Sequence, residues 1–144
     1  MEERLCRVLI LDTDSDALIT LQRLLEHADI DTTITWDENE ARQLLETELF
    51  DLIVIGDHPP ELDAAAVLQD LRVQSASSPR LVLRGIVRED DIEFFCGLGA
   101  IGVVSRRDPL MVLDQVTRAL APLLFKVTSR KDATAVTCSW RAVS

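Results

Sequence analysis

Two stretches of this chain have residue types that could do chemistry. In "FDLIVIGDHPP", residues 50–60, an apolar run ends on Gly56 and is followed at once by Asp57. In "LDTDSD", residues 11–16, another apolar run ends on Asp12, Thr13, Asp14, Ser15 and Asp16. A loop built to cradle phosphate wants glycines and free backbone N–H groups, whereas three acids repel an anion. That speaks against nucleotide-dependent oxidoreduction and against phosphoryl transfer from a nucleotide. The loop suits a cation or an arginine better. Two arginines are candidates, because Arg84 and Arg106 close later apolar runs. A guanidinium stays charged, and its fork matches a carboxylate.

Local structure accounts for part of the acidic loop. Asp14 or Ser15 can cap the helix that follows, and Asp16 can face its positive end. Asp12, at the strand tip, is the better site residue. His58 reads as a lone, exposed loop histidine, and His27 as a cation at a helix end. "REDDIEFF" reads as an acidic helix start with Phe94 and Phe95 in the core or an interface, and Trp36 as packing at a strand end.

The elements that must position these residues show in the apolar pattern. Five runs stand out: "CRVLIL" (6–11), "TTITW" (32–36), "DLIVIG" (51–56), "RLVLRG" (80–85) and "IGVVS" (101–105). Most are continuous rather than alternating, as in strands buried on both faces. Between them, helical stripes recur: Leu18, Leu21 and Leu25; Val67, Leu68 and Leu71; Val112, Val116, Ala119 and Leu120. Alternating strands and helices predict a parallel sheet with right-handed crossovers, hence helices on both faces. The expected fold is α/β: a flavodoxin-like, doubly wound (βα)5 sandwich of strand order 2-1-3-4-5 over residues 1–122. Pro122 is expected to stop the last helix. Beyond it, Val136, Cys138 and Trp140 alternate with Thr137, Ser139 and Arg141, and "SRKD" looks like a turn, so residues 123–144 are expected to add a β-hairpin.

Composition narrows the function classes. Hydrophobic residues make up 47% of the 144 and aromatics 4%, so the core must be aliphatic. No run is long enough to span a membrane, and "MEERLCRV" lacks the apolar stretch of a signal peptide. Cys6, Cys96 and Cys138 lie far apart in no metal or redox spacing, and read as hydrophobes of a reducing cytoplasm. The net charge of −10 argues against a nucleic-acid partner. It is unevenly spread: Lys126, Arg130, Lys131 and Arg141 against Asp132 give residues 126–144 a net +3, so residues 1–125 carry −13.

Four segments together resemble a response-regulator receiver domain over about residues 4–121. They are "VLILDTDSDAL", "FDLIVIGDHPPELDAAAVLQDLR", "RLVLRG" and "GLGAIGVVSRRD". The resemblance implies an acidic pair holding magnesium, a central Asp that takes a phosphoryl group, and a Ser or Thr and a Lys that contact its oxygens. Position by position, this chain departs from that pattern. Asp12 matches the first acid, but Thr13 stands at the second. The acceptor position falls on Gly56, with Asp57 one residue late. Arg84 replaces the hydroxyl residue, Arg106 the Lys, Arg107 the following Pro, and Val103 the aromatic switch residue. Side chains alternate along a strand, so a one-residue slip turns the Asp57 carboxylate away from Asp12 unless the backbone bulges at Gly56.

The expected function is therefore an atypical receiver module in signal transduction that binds proteins without conventional Asp phosphorylation and is not an enzyme. Its expected partners are a signalling protein of a histidine-kinase pathway or a second copy of the chain, met through the last helices and strand. No cofactor is expected, and Asp12 alone is a weak metal candidate. Two alternatives stand beside it. One is a phosphorelay receiver that accepts phosphate on the displaced Asp57 with magnesium. The other is an anion sensor clamped by Arg84 and Arg106. A further expectation is that Arg106 or Arg84 pairs with Asp12 in place of a metal.

Overall fold

The structure, a computed structural model, describes residues 6–74 and 78–124, with backbone alone for 72–74 and 124. Five strands alternate with five helices: β1 (Arg7–Leu11), α1 (Ser15–His27), β2 (Asp31–Thr35), α2 (Glu38–Thr47), β3 (Leu52–Gly56), α3 (Ala64–Gln74), β4 (Arg80–Arg84), α4 (Glu89–Gly97), β5 (Gly102–Ser105) and α5 (Pro109–Leu124). The strands form one parallel sheet in the order β2-β1-β3-β4-β5. Each of the five apolar runs is a strand, and the strand order is the one the sequence implies.

The alternation of side chains along the strands divides the core in two. Val8 and Ile10, Leu52 and Val54, and Leu81 and Leu83 face Leu18, Leu21 and Leu25 of α1 and Val112, Val116 and Leu120 of α5. Leu9 and Leu11, Ile53 and Ile55, and Val82 face Ala41 of α2, Val67, Leu68 and Leu71 of α3, and Phe95 of α4. Each of these fully buried leucines contributes on the order of 1.5–3 kcal/mol.

Pro122 does not end α5, which continues through it to Leu124. Pro122 gives up one N–H and its bond to the Arg118 carbonyl, and the buried face of Val112, Val116 and Leu120 holds the helix on the sheet around it. Trp36 does not pack at its strand end, because 59% of its surface is exposed. Phe95 is core and Phe94 is exposed, their rings edge to face at 5.1 Å. Cys6 is buried and Cys96 partly so. The expected hairpin falls on residues that, from 125 onward, lie outside those described.

Candidate functional site

All five strands end on the same side of the sheet, where β1 and β3 diverge into α1 and α3. The alternation that splits the core also sorts the charged residues there. Asp12 continues the parity of Val8 and Ile10, Gly56 that of Leu52 and Val54, and Arg106 that of Val104, so all three belong to the α1/α5 side. Asp57 continues the parity of Ile53 and Ile55, and Arg84 that of Val82, so both belong to the α2/α3/α4 side. The strand ends hold two separate ionic clusters rather than one pocket.

In the first cluster the Asp12 side chain is fully buried. Its Oδ1 accepts the backbone N–H groups of Thr13 at 2.7 Å and Asp14 at 3.2 Å. Its Oδ2 accepts Nε and Nη2 of Arg106, both at 3.3 Å. Arg106 Nη2 also donates to the Leu83 carbonyl at 3.2 Å, and the Arg106 side chain is only 7% exposed. The Thr13 side chain is exposed, and Asp14 caps α1 by accepting from Ala17 N–H at 3.1 Å.

His58 belongs to this cluster, contrary to its reading as an exposed loop residue. Its Nε2 lies 3.0 Å from Asp12 Oδ1, within ion-pair distance but outside hydrogen-bond geometry. Two features bring it there: His58 has the same parity as Gly56, two residues earlier, and its backbone pairs with Leu62 in both directions at 2.8 and 2.9 Å. Parity was the signal in the sequence that could have found it.

Gly56 explains how Asp12 fits. A β-carbon built at Gly56 would fall inside the Asp12 carboxylate, overlapping Cγ and both oxygens. The carboxyl group of Asp12 therefore occupies the space that a side chain at position 56 would need. Gly56 itself keeps regular strand pairing opposite Leu83, and Asp57 N–H donates to the Leu83 carbonyl at 2.8 Å. No bulge turns Asp57 back toward Asp12.

Asp57 anchors the second cluster and is buried. Its Oδ1 accepts the N–H of Ala64, the first residue of α3, at 3.0 Å, and its Oδ2 lies 3.1 Å from Arg84 Nε. Arg84 Nη1 then reaches Asp91 Oδ1 at 2.6 Å, and Asp91 Oδ2 accepts the Arg88 N–H at 2.9 Å as part of the α4 cap. Arg84 thus does not pair with Asp12, because its parity places it on the other face. Asp91 was visible only as one acid of a helix start. Replacing Asp57 by alanine unpairs the buried Ala64 N–H and is expected to cost about 1–3 kcal/mol in urea unfolding. Asparagine there should recover part of that loss, since it still offers a carbonyl oxygen to Ala64.

The donor set does not fit a magnesium ion. The Asp12 oxygens already accept four donors, Asp14 is engaged at the α1 cap, and a guanidinium stands where a cation would sit. Among the described residues no three His, Cys, Asp or Glu side chains converge as metal ligands. None of their helices is long and apolar enough to cross a membrane.

No protein-family model matches the chain, and no curated protein matches it. Many solved structures do match. The receiver domain of the Francisella response regulator 1452 is 26% identical, with a TM-score of 0.67 over 77% of this chain and 94% of that one. A CheY-like response regulator receiver domain protein from Methanospirillum hungatei is 19% identical, with a TM-score of 0.74 over 85% and 99%. The beryllofluoride-activated NtrC4 receiver domain, solved as a dimer, is 20% identical, with a TM-score of 0.66 over 75% and 93%. In element order, strand order and extent, the chain has the fold of the response-regulator receiver domains.

Proposed function

We propose that this chain is a receiver-type signalling module that acts through protein contacts and accepts no phosphoryl group. The observation that carries the reading is Gly56, whose missing side chain leaves room for the Asp12 carboxylate. The acceptor position has no nucleophile, and the space in front of it is filled by a carboxylate held by Arg106. Asp57 is a poor substitute, since both of its oxygens are engaged and attack through either would break the α3 contact or the Arg84 pair. Arg84 and Arg106 are already matched to carboxylates, which disfavours their use as an anion clamp. On this reading the module is not an enzyme and needs no magnesium. Its partners would be proteins of a histidine-kinase pathway or a second copy, the latter in line with the dimeric NtrC4 receiver domain.

The test is incubation of the chain with acetyl phosphate, or with beryllofluoride, in the presence of magnesium. The intact mass should remain unchanged, and millimolar magnesium should leave the melting temperature where it is. A stoichiometric phosphoryl adduct on Asp57 would replace this reading with a phosphorelay receiver.

A further inference from the structure

α4 is lightly seated on the sheet. Of its nine residues only Phe95 is buried, whereas α3 buries Ala64, Val67, Leu68 and Leu71. A short helix with so few apolar contacts belongs to the elements that open before the body does. Arg84 holds it as well, and at two points. Its Nη1 lies 2.6 Å from Asp91 Oδ1 in the first turn of α4. Its guanidinium carbon stands 6.0 Å from the centre of the Phe95 ring, a cation–π distance.

The same guanidinium also reaches Asp57. Its Nε lies 3.1 Å from Oδ2 of that carboxylate, whose side chain is 5% exposed, while Oδ1 accepts the Ala64 N–H at the start of α3. One side chain therefore joins the start of α4 to the start of α3. When the first turn of α4 swings away, Arg84 follows it: two contacts to α4, one of them at 2.6 Å, outweigh the single contact to Asp57 at 3.1 Å. Asp57 is then a buried charge with its cation withdrawn, a state that solvation must relieve. Water that solvates the carboxylate competes with the Ala64 N–H for it, so the start of α3 loosens too. The Asp12 side is not on this route, because its residues face α1 and α5.

We propose that Arg84 is a relay that couples the opening of α4 to the start of α3, so that the two helix starts loosen together while α1 and α5 stay closed. The coupling is reciprocal, as any linkage between two sites must be. Whatever holds α4 on the sheet tightens Asp57 on Ala64, and whatever loosens Asp57 frees α4. With its side chain 30% exposed, Arg84 is also within reach of solvent and of anything that competes for it there. No phosphoryl group takes part, so the relay stands apart from the question of whether the chain accepts one.

Amide hydrogen exchange of the whole chain, resolved by NMR, is the test. Asp91→Asn keeps an oxygen for the Arg88 N–H but loses the charge that faces Arg84. It should speed exchange at Ile92, whose N–H bonds the Arg88 carbonyl, and also at Ala64, there by at least about fivefold. Leu21 in α1 and Val116 in α5 should keep their rates. Asp57→Asn, which still offers Ala64 an oxygen, should in return speed exchange at Ile92. In an Arg84→Met background, adding Asp91→Asn should change nothing further at Ala64, because the connecting side chain is gone. An unmoved Ala64 in Asp91→Asn, an equal rise at Leu21 and Val116, or a response at Ala64 that persists without Arg84 would each overturn the proposal.

Discussion

Replacing Arg106 by alanine should lower the unfolding free energy by about 3–5 kcal/mol, the range for breaking a buried ion pair by removing one partner. The size follows from what remains. Asp12 is fully buried, and Arg106 supplies two of its four hydrogen bonds and a guanidinium charge at 3.3 Å. Thr13 and Asp14 N–H groups stay in place and His58 stands nearby, so the lower end of the range is expected. Arg106→Lys should recover only part of the loss, because one ammonium cannot span Asp12 Oδ2 and the Leu83 carbonyl as the guanidinium does. Urea unfolding of Arg106→Ala, Asp12→Ala and the double variant provides the check. The double variant should lose less than the sum of the singles by at least about 0.5 kcal/mol, as for residues in direct contact. Strictly additive losses would mean that the pair holds nothing together.

The sequence made the fold legible because its strands are buried on both faces. Continuous runs such as "DLIVIG" leave no other place for the chain, and the Leu18–Leu21–Leu25 stripe gives α1 a single inward face. Pro122 reads as a stop because its ring removes a helical hydrogen bond, but the buried Val112, Val116 and Leu120 face keeps α5 helical past it, and that packing is tertiary. At the site, parity along each strand was legible, and it correctly set Asp57 apart from Asp12. The pairing of the arginines was only half legible. Arg106 meets Asp12 as expected, but Arg84 shares its face with Asp57 and with the start of α4, whose placement no local pattern reveals. An isolated histidine in a loop reads as a solvent residue, yet the offset of two from Gly56 puts His58 on the Asp12 side.

Gly56→Ala should also destabilise the protein, and for a reason opposite to the usual one for glycine. Gly56 lies in regular strand pairing opposite Leu83, so the backbone there needs no special freedom. Alanine ordinarily stabilises a strand relative to glycine by limiting the unfolded chain. Here the added β-carbon would overlap the Asp12 carboxyl group, a short side chain with little room to swing, held by Thr13, Asp14 and Arg106. Forcing it out costs about 1–3 kcal/mol, the range for overpacking a close-packed interior. Gly56→Asp, which would restore an acceptor carboxylate to the fold, adds a second buried negative charge beside the first and should cost more. The diagnostic variant is Asp12→Ala combined with Gly56→Ala. With the carboxylate gone the new methyl group has space, so the second substitution should then be neutral or stabilising. If Gly56→Ala destabilises the protein equally with and without the Asp12 side chain, the two residues do not compete for one space, and the vacant acceptor position must be explained some other way.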